Sequence, residues 1–130
     1  MRRTVVFDSG AVIAAERNDE RIRAIMFAAR ESRTVVLLPS MVLAETWRGR
    51  ATHPLAAKFL ASMDRFPALD ATAAKRAGAL LTEGGSIADA NVVDVAIRSA
   101  PAVVVTSDPR DIRALLRIAA SSADVQIRNL

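Results

Sequence analysis

Hydrophobic and polar positions along the chain predict two kinds of element. Short, continuous apolar segments rich in Val and Leu occur at Thr4–Phe7, Thr34–Leu38 and Ala102–Thr106, and each is followed by turn or capping residues. Continuous apolarity with β-branched residues is typical of strands that are covered on both faces. We therefore expect three buried strands here, with two weaker strand candidates at Phe66–Leu69 and Val125–Arg128.

Longer stretches rich in Ala, Arg and Leu separate these strands and predict helices. The predicted helices are Ser9–Glu16, Asp19–Glu31, Ser40–Gly49, Pro54–Asp64, Ala71–Glu83, Asp89–Ser99 and Pro109–Ala120. Gly84 and Gly85 end one of them, and Pro101 separates another from the strand that follows. Helices that alternate with strands predict one α/β domain over residues 1–130, with a mostly parallel sheet of about four to five strands.

The composition agrees with a folded domain and excludes several kinds of site. Of the 130 residues, 52% are hydrophobic, which supports a substantial core. Cys is absent and His53 is the one histidine, which excludes disulfides, a thiolate nucleophile and zinc sites built from Cys or several His. Apolar runs stay well below the roughly 18 residues of a membrane span, and Asp8 comes too early for a signal peptide. We expect a soluble cytoplasmic protein.

The net charge favours an anionic partner but does not require one. The chain carries 18 basic and 14 acidic residues, a formal charge of +4, and all basic residues except Lys58 and Lys75 are Arg. Arg suits phosphate because its planar guanidinium donates two hydrogen bonds side by side. An Arg-rich composition also arises without any anion-binding function, so the charge leaves both interpretations open.

Four acidic residues lie where the ends of these strands are expected to meet. Asp8 follows the first strand, Asp108 follows the third, Glu45 lies on the helix after the second, and Asp89 begins the helix that leads back into the third. Ligands of parallel α/β sheets bind beyond the carboxyl ends of the strands. Taken singly, the three Asp residues also suit helix N-caps. Glu45 interrupts an apolar helix face, so its burial would require a partner, either a cation or Arg48 at i+3.

A converging set of carboxylates predicts a cation site and, from it, a reaction. Carboxylates held close together raise one another's pKa and stay ionised at neutral pH only beside a cation. Oxygen ligands without Cys or several His suit Mg²⁺, with Mn²⁺ as a substitute. Mg²⁺ keeps part of its water shell, and a bound water can attack a phosphodiester. The residues by themselves therefore point to a metal-dependent nuclease whose Arg side chains bind the nucleic-acid backbone.

Four short segments form an ordered set that spans nearly the whole chain. They are Val5–Ala14, Pro39–Glu45, Asp89–Val93 and Val104–Ile112. In this order and spacing they resemble the motifs of PIN-domain ribonucleases, and in particular of the VapC-type toxins of bacterial toxin–antitoxin pairs. The resemblance implies a PIN-like three-layer sandwich, in which helices flank a central, mostly parallel sheet.

The same resemblance implies roles for individual residues. Asp8, Glu45, Asp89 and Asp108 match the family's acidic quartet, with Asp8 and Asp89 as principal Mg²⁺ ligands, Asp108 as a further ligand and Glu45 completing the site. Thr106 matches the hydroxyl residue that braces the site by hydrogen bonding. The implied protein is a homodimeric endoribonuclease that a cognate antitoxin neutralises. The alternative is a catalytically inactive PIN domain that binds RNA or protein, but such a domain would lack one or more acids, and all four are present.

Two further acids have roles that the sequence leaves open. Asp94 lies five positions after Asp89, about 140° further round the helix, so only one of them can face the site. The family register favours Asp89 and leaves Asp94 exposed to solvent or paired with Arg98 at i+4. Asp111 either approaches the metal site or offsets the dipole of its helix from the first turn, and the dipole role is favoured.

Three arginines and one tryptophan are candidates for nucleic-acid contacts. Arg110, Arg113 and Arg117 form one stripe of the final predicted helix, and they either bind phosphates or form a solvated face. Trp47 either stacks on a base or packs in the core or an interface, and packing is favoured.

Overall fold

Four strands form one parallel sheet in the computed structural model, which describes residues 3–130. They are β1 (Thr4–Phe7), β2 (Val36–Leu37), β3 (Ala102–Thr106) and β4 (Val125–Asn129). The strand order is β2-β1-β3-β4, and the central pair is in register with Phe7 opposite Val105. Because the chain leaves β1 towards β2 and leaves β3 towards β4, a crevice opens between the carboxyl ends of β1 and β3.

Seven α-helices flank this sheet within the described residues. They are α1 (Ser9–Glu16), α2 (Glu20–Glu31), α3 (Ser40–Thr46), α4 (Pro54–Ala61), α5 (Ala71–Ala79), α6 (Ile87–Arg98) and α7 (Pro109–Ala119), with a short 3-10 turn at Gly49–Ala51. α1 packs against α2 and α4, whereas α6 packs against α5 and α7. No helix in residues 3–130 combines the length and the apolar character needed to cross a membrane. The arrangement confirms the predicted α/β sandwich around a central parallel sheet.

Capping residues explain where most helices begin. Asp8, Asp70 and Ser86 accept hydrogen bonds from backbone N–H groups in the first turns of α1, α5 and α6, a role for which Asp and Ser are favoured. Pro54 and Pro109 begin α4 and α7, where the missing N–H costs no helical hydrogen bond. These signals are local, which is why most predicted helix bounds agree with the structure to within a few residues.

One of the two weaker strand candidates is wrong and the other is confirmed. Phe66–Leu69 is not a strand, and next to it Arg65 makes a single parallel bridge to Leu37 of β2. Pro67 has no N–H with which to continue a ladder, and its carbonyl accepts a hydrogen bond from the first residue of α3 at 3.0 Å. The candidate Val125–Arg128 is confirmed as β4, the edge strand beside β3.

Helix α6 is buried along most of its length and contains a buried acid. Every residue from Ala90 to Ala96 is buried. The prediction that Asp94 is exposed or paired with Arg98 is wrong, because its carboxylate accepts hydrogen bonds from Nε of Arg76 on α5 at 2.9 and 3.2 Å. The physical reason is that α5 packs over this face of α6, so α5 both excludes solvent from Asp94 and supplies its cation.

Arg76→Met is expected to lower the free energy of unfolding by about 2 kcal/mol, because it leaves the buried carboxylate of Asp94 without its hydrogen-bond donor. The double variant Arg76→Met/Asp94→Leu should recover most of this loss, since it removes the buried charge together with its partner. Urea unfolding followed by circular dichroism measures both values. A double variant no more stable than the single one would contradict this account of the pair.

Candidate metal centre

The crevice between the ends of β1 and β3 collects residues that are far apart in the sequence. Asp8 directly follows β1, and its N–H donates to the carbonyl of Val105 in β3 at 3.3 Å. Asp108 comes shortly after the end of β3, as the N-cap of α7, and Asp89 lies in the first turn of α6. Three of the four predicted acids therefore lie at one edge of the sheet.

Thr106 connects the residues that follow the two central strands. Asp8 is only 5% exposed, and its Oδ1 accepts a hydrogen bond from the N–H of Ala11 at 3.2 Å. The hydroxyl of Thr106, which is fully buried, accepts a hydrogen bond from the N–H of Asp108 at 2.8 Å, and hydrogen bonding from the same hydroxyl lowers the pKa of the Asp8 carboxyl group. These two hydrogen bonds are of the bracing kind that the family resemblance implies for Thr106.

The carboxylates of Asp89 and Asp108 are free of helix capping. The N-cap of α6 is Ser86, whose Oγ accepts a hydrogen bond from the N–H of Asp89 at 3.0 Å. Asp108 occupies the N-cap position of α7, but its side chain makes no capping hydrogen bond. The capping interpretation is therefore right for Asp8 and wrong for the other two, whose carboxylates are not used to cap a helix.

Asp89, Asp108 and Asp111 form a compact group of carboxylates. One oxygen from each residue lies within 4.8 Å of the other two. Asp111 is in the first turn of α7, as expected for a dipole partner, but it also lies beside Asp108, because residues three apart share a helix face. Asp111 thus belongs to the site by geometry, and its spacing from Asp108 is the sequence signal that indicates this.

Burial and mutual repulsion raise the pKa of three acids in this region. The pKa of Asp89 lies above its usual 3.8, first because of burial and then because of the charges of Asp111 and Asp108. The pKa of Asp111 is raised first by its hydrogen bond with Asp108 and then by the negative charge of Asp108. Burial raises the pKa of Asp8, despite a hydrogen bond from Thr106 that lowers it, and the charge of Asp89 adds to the increase.

The donor set of this group fits a hard divalent cation. It consists of carboxylate oxygens alone, and in residues 3–130 it is the one group of three acidic or imidazole ligands that lie close enough to share an ion. Mg²⁺ binds proteins through one or two carboxylates and keeps several waters, so these oxygens are sufficient. A cation would also offset the repulsion that raises the pKa of Asp89.

Glu45 lies outside this group and is exposed. It belongs to α3, a helix of seven residues in which only Val42 is buried. Among the described contacts, Arg48 donates to three backbone carbonyls at the end of α3 rather than to the carboxylate of Glu45. Burial of Glu45 and an ion pair with Arg48 are therefore both wrong, because α3 is short and lies at the surface. Trp47 is 49% exposed, which excludes core packing for it.

Gly10 allows the loop after β3 to approach α1 closely. A Cβ at this position would collide with the side chain of Ser107 and would lie 3.1 Å from Oδ1 of Asp8. Ser107 lies between Thr106 and Asp108, so a side chain at position 10 would displace the segment that carries part of the acidic group. Glycine is required here by close approach of two segments.

Solved structures with the same fold exist. The protein matches a chain of VapBC2 from Rickettsia felis, bound to a DNA fragment from its promoter, with a TM-score of 0.69, 16% identity and 98% of both chains covered. It matches a chain of DNA-bound VapBC from Salmonella typhimurium with a TM-score of 0.64, 18% identity and 98% of both chains covered. No protein-family model and no curated protein matches the chain. At these identities the likeness confirms the PIN-like fold that the motifs implied.

Asp89→Asn is expected to stabilise the metal-free protein at neutral pH and to abolish stabilisation by Mg²⁺. The raised pKa of Asp89 means that the folded protein binds this proton more tightly than the unfolded chain, so the wild type loses stability as the pH rises through that pKa. The advantage of the variant in EDTA should therefore be larger near pH 7 than near pH 4. Mg²⁺ at about 100 times its Kd should stabilise the wild type by about 2.7 kcal/mol.

Thermal unfolding in EDTA and in Mg²⁺ measures these differences, with Asp124→Asn as a control, because Asp124 is exposed and pairs with Arg3 at the surface. If Asp89→Asn melts at a lower temperature than the wild type in EDTA at neutral pH, the charge of Asp89 does not destabilise the metal-free protein.

Gly10→Ala is expected to lower the free energy of unfolding by about 2 kcal/mol, because overpacking moves backbone segments, and to weaken Mg²⁺ binding. Gly78→Ala is the matched control, since a Cβ there meets nothing within 4 Å and Ala is preferred to Gly in a helix by about 1 kcal/mol. Thermal unfolding and calorimetric titration with Mg²⁺ distinguish the two variants. Equal metal affinity in Gly10→Ala and the wild type would show that the approach of Ser107 is not needed for the site.

Proposed function

We propose that the protein is a Mg²⁺-dependent endoribonuclease, with Mn²⁺ as a possible substitute, and that it acts on cytoplasmic RNA as the toxin of a toxin–antitoxin pair. The observation that carries this proposal is the acidic group of Asp89, Asp108 and Asp111, whose oxygens lie within 4.8 Å of one another. The group lies at the crevice between β1 and β3, in a fold shared with chains of two VapBC assemblies.

The proposed metal ligands are Asp8, Asp89 and Asp108, directly or through water, and the geometry adds Asp111 to them. A bound Mg²⁺ supplies a water of lowered pKa for attack on phosphorus and offsets the charge that develops on the phosphate oxygens. The protein's own part is to hold these carboxylates in place before substrate arrives. Thr106 connects the residues that follow β1 and β3. Its hydroxyl accepts a hydrogen bond from the N–H of Asp108 and lowers the pKa of the Asp8 carboxyl group by hydrogen bonding.

Glu45 is the proposed fourth acid, although it lies outside the compact acidic group. It lines a cavity of about 350 Å³ together with Ser9, which directly follows Asp8 in the chain. Its exposed carboxylate is available to bind a proton or a second cation. Because it is separate from the compact acidic group, we expect its removal to lower activity less than removal of Asp89.

The charge of α7 supports a nucleic acid as substrate. Arg110, Arg113 and Arg117 are exposed on this helix, which begins directly after Asp108. Guanidinium groups along such a stripe bind the phosphates of a strand whose scissile bond lies at the acidic group. Binding through these side chains should weaken steeply with increasing salt.

We further propose a homodimer that a cognate antitoxin protein neutralises. Both solved structures described above are of VapBC assemblies. Exposed apolar side chains on this chain support protein contacts, since Phe27 is 67% exposed and Trp47 is 49% exposed, and apolar surface of this kind favours association.

Purified protein free of antitoxin is expected to cleave total cellular RNA at discrete sites in Mg²⁺ or Mn²⁺ and to lose this activity in EDTA. Asp8→Asn, Asp89→Asn and Asp108→Asn should each lower kcat by roughly 10²-fold or more, because each removes a carboxylate that would hold the metal ion, and the metal ion offsets the negative charge of the transition state. Glu45→Gln should lower it less, and Asp124→Asn should leave it unchanged. Sequencing of the newly formed RNA ends measures site and rate.

Two outcomes would contradict the proposal. Full activity in Asp89→Asn would show that the acidic group is not the catalytic site. No cleavage by folded wild type in either metal would favour the alternative of a catalytically inactive PIN domain that binds RNA or protein.

A further inference from the structure

A cleft of about 610 Å³ opens directly beside the acidic group. Asp89 and Asp111 lie at one end of it. A face of α7 lines the cleft, and so does the segment from Glu83 to Gly85 that precedes α6. A single cation would occupy only a small part of this volume, so the rest of the cleft is available to another ligand.

The α7 wall changes from acidic to apolar with distance from the metal site. Asp111, Ala114 and Ile118 line the cleft at i, i+3 and i+7, which places them on one face of the helix. With a rise of 1.5 Å per residue, this row is about 10 Å long. Leu115, which is buried, contributes to the same lining. The cleft therefore offers an apolar surface one to two helical turns from the acids.

A basic rim runs beside this row. Arg110, Arg113 and Arg117 are exposed, and at 3.6 residues per turn they fall within a sector of about 60° that adjoins the cleft-facing row. Arg117 itself lines the cleft. Phosphates that follow the rim would thus place the attached bases over the apolar face of α7.

The second part of the lining is a glycine turn that follows one acid, Glu83. Gly84 and Gly85 have φ values of +92° and +113°, which side chains rarely tolerate, so this wall is bare backbone. A Cβ at Gly84 would meet nothing within 4 Å, which keeps this side of the cleft open. Glu83, next to the turn, also lines the cleft and offers a carboxylate that can accept a hydrogen bond from an amino group of a base.

We propose that this cleft is a nucleotide-binding subsite, which holds the ribonucleotide next to the scissile phosphate and sets the base preference of the nuclease. The base lies against Ala114, Leu115 and Ile118, Arg117 binds its phosphate, and Glu83 favours a base with an exocyclic amino group over uracil. The position of this nucleotide next to the cleaved bond rests on the proposed nuclease function. Binding of the nucleotide in the cleft does not require that the protein cleaves RNA.

The first test compares cleavage maps of a random-sequence RNA pool in Mg²⁺. The wild type should show a base preference at one position beside the cut, with uridine disfavoured. Ala114→Leu narrows the cleft and should lower kcat/KM on the preferred sequence at least 10-fold, and Glu83→Gln should reduce the discrimination against uridine about 10-fold. Arg98→Ala, an exposed charge deletion at the far end of α6, is the control and should leave the map unchanged.

The second test measures binding without cleavage, in an Asp8→Asn background with a fluorescein-labelled single-stranded RNA hexamer and Mg²⁺. Arg117→Ala should weaken binding and reduce the slope of log affinity against log salt by about 0.7, the value for one lost phosphate contact on a single strand. Because Arg117 is exposed, this variant keeps the test available if Ala114→Leu does not fold.

The two tests separate failure of the subsite from failure of the nuclease. The subsite is refuted if the wild type cleaves RNA but the variants behave like it. In that case Ala114→Leu and Glu83→Gln would show the same cleavage map as the wild type, and Arg117→Ala would show the same salt dependence of binding. A wild type that does not cleave, with RNA binding weakened by Arg117→Ala but not by Arg98→Ala, would refute the nuclease and support the subsite.

Discussion

Repulsion among carboxylates is the constraint on which the rest of the structure depends. Asp89, Asp108 and Asp111 bring oxygens within 4.8 Å of one another, and burial disfavours the charge of Asp89 further. Such a group is unfavourable at neutral pH unless a cation offsets it, so the surrounding structure must hold it in place. The ends of β1 and β3 and the first turns of α6 and α7 do this from separate parts of the chain, and the site therefore forms only when these parts have packed together.

Helix α6 connects the acidic group to the core. Its buried residues contact β1 and β3 on one side, and the ion pair between Asp94 and Arg76 joins it to α5 on another. Asn91, which is fully buried, accepts a hydrogen bond from the N–H of Met41 at 3.4 Å and so joins α6 to α3. The helix that presents Asp89 is thus oriented by polar contacts in two directions.

Helix α7 serves three surfaces at once, because 3.6 residues per turn separate its side chains into distinct rows. Ile112 is fully buried in the core, the row that begins at Asp111 faces the cleft, and the arginines from Arg110 to Arg117 are exposed beside it. The catalytic and the nucleotide-binding proposals therefore rely on one rigid element. A helix packed on the sheet holds such groups at fixed distances more accurately than a loop does.

The sequence by itself determined the elements and the acids that follow β1 and β3. Continuous apolar runs, caps and prolines are local signals, so β1, β3 and most helix starts could be predicted, and Asp8 and Asp108 followed from the strand ends. Only the tertiary structure decided that Asp94 pairs with Arg76, that Glu45 is exposed and that Asp111 joins the acidic group. A local pattern reports which side of an element is apolar. Which neighbour covers that side depends on the packing of elements that are distant in the chain, and burial, charge and pKa are set by that neighbour.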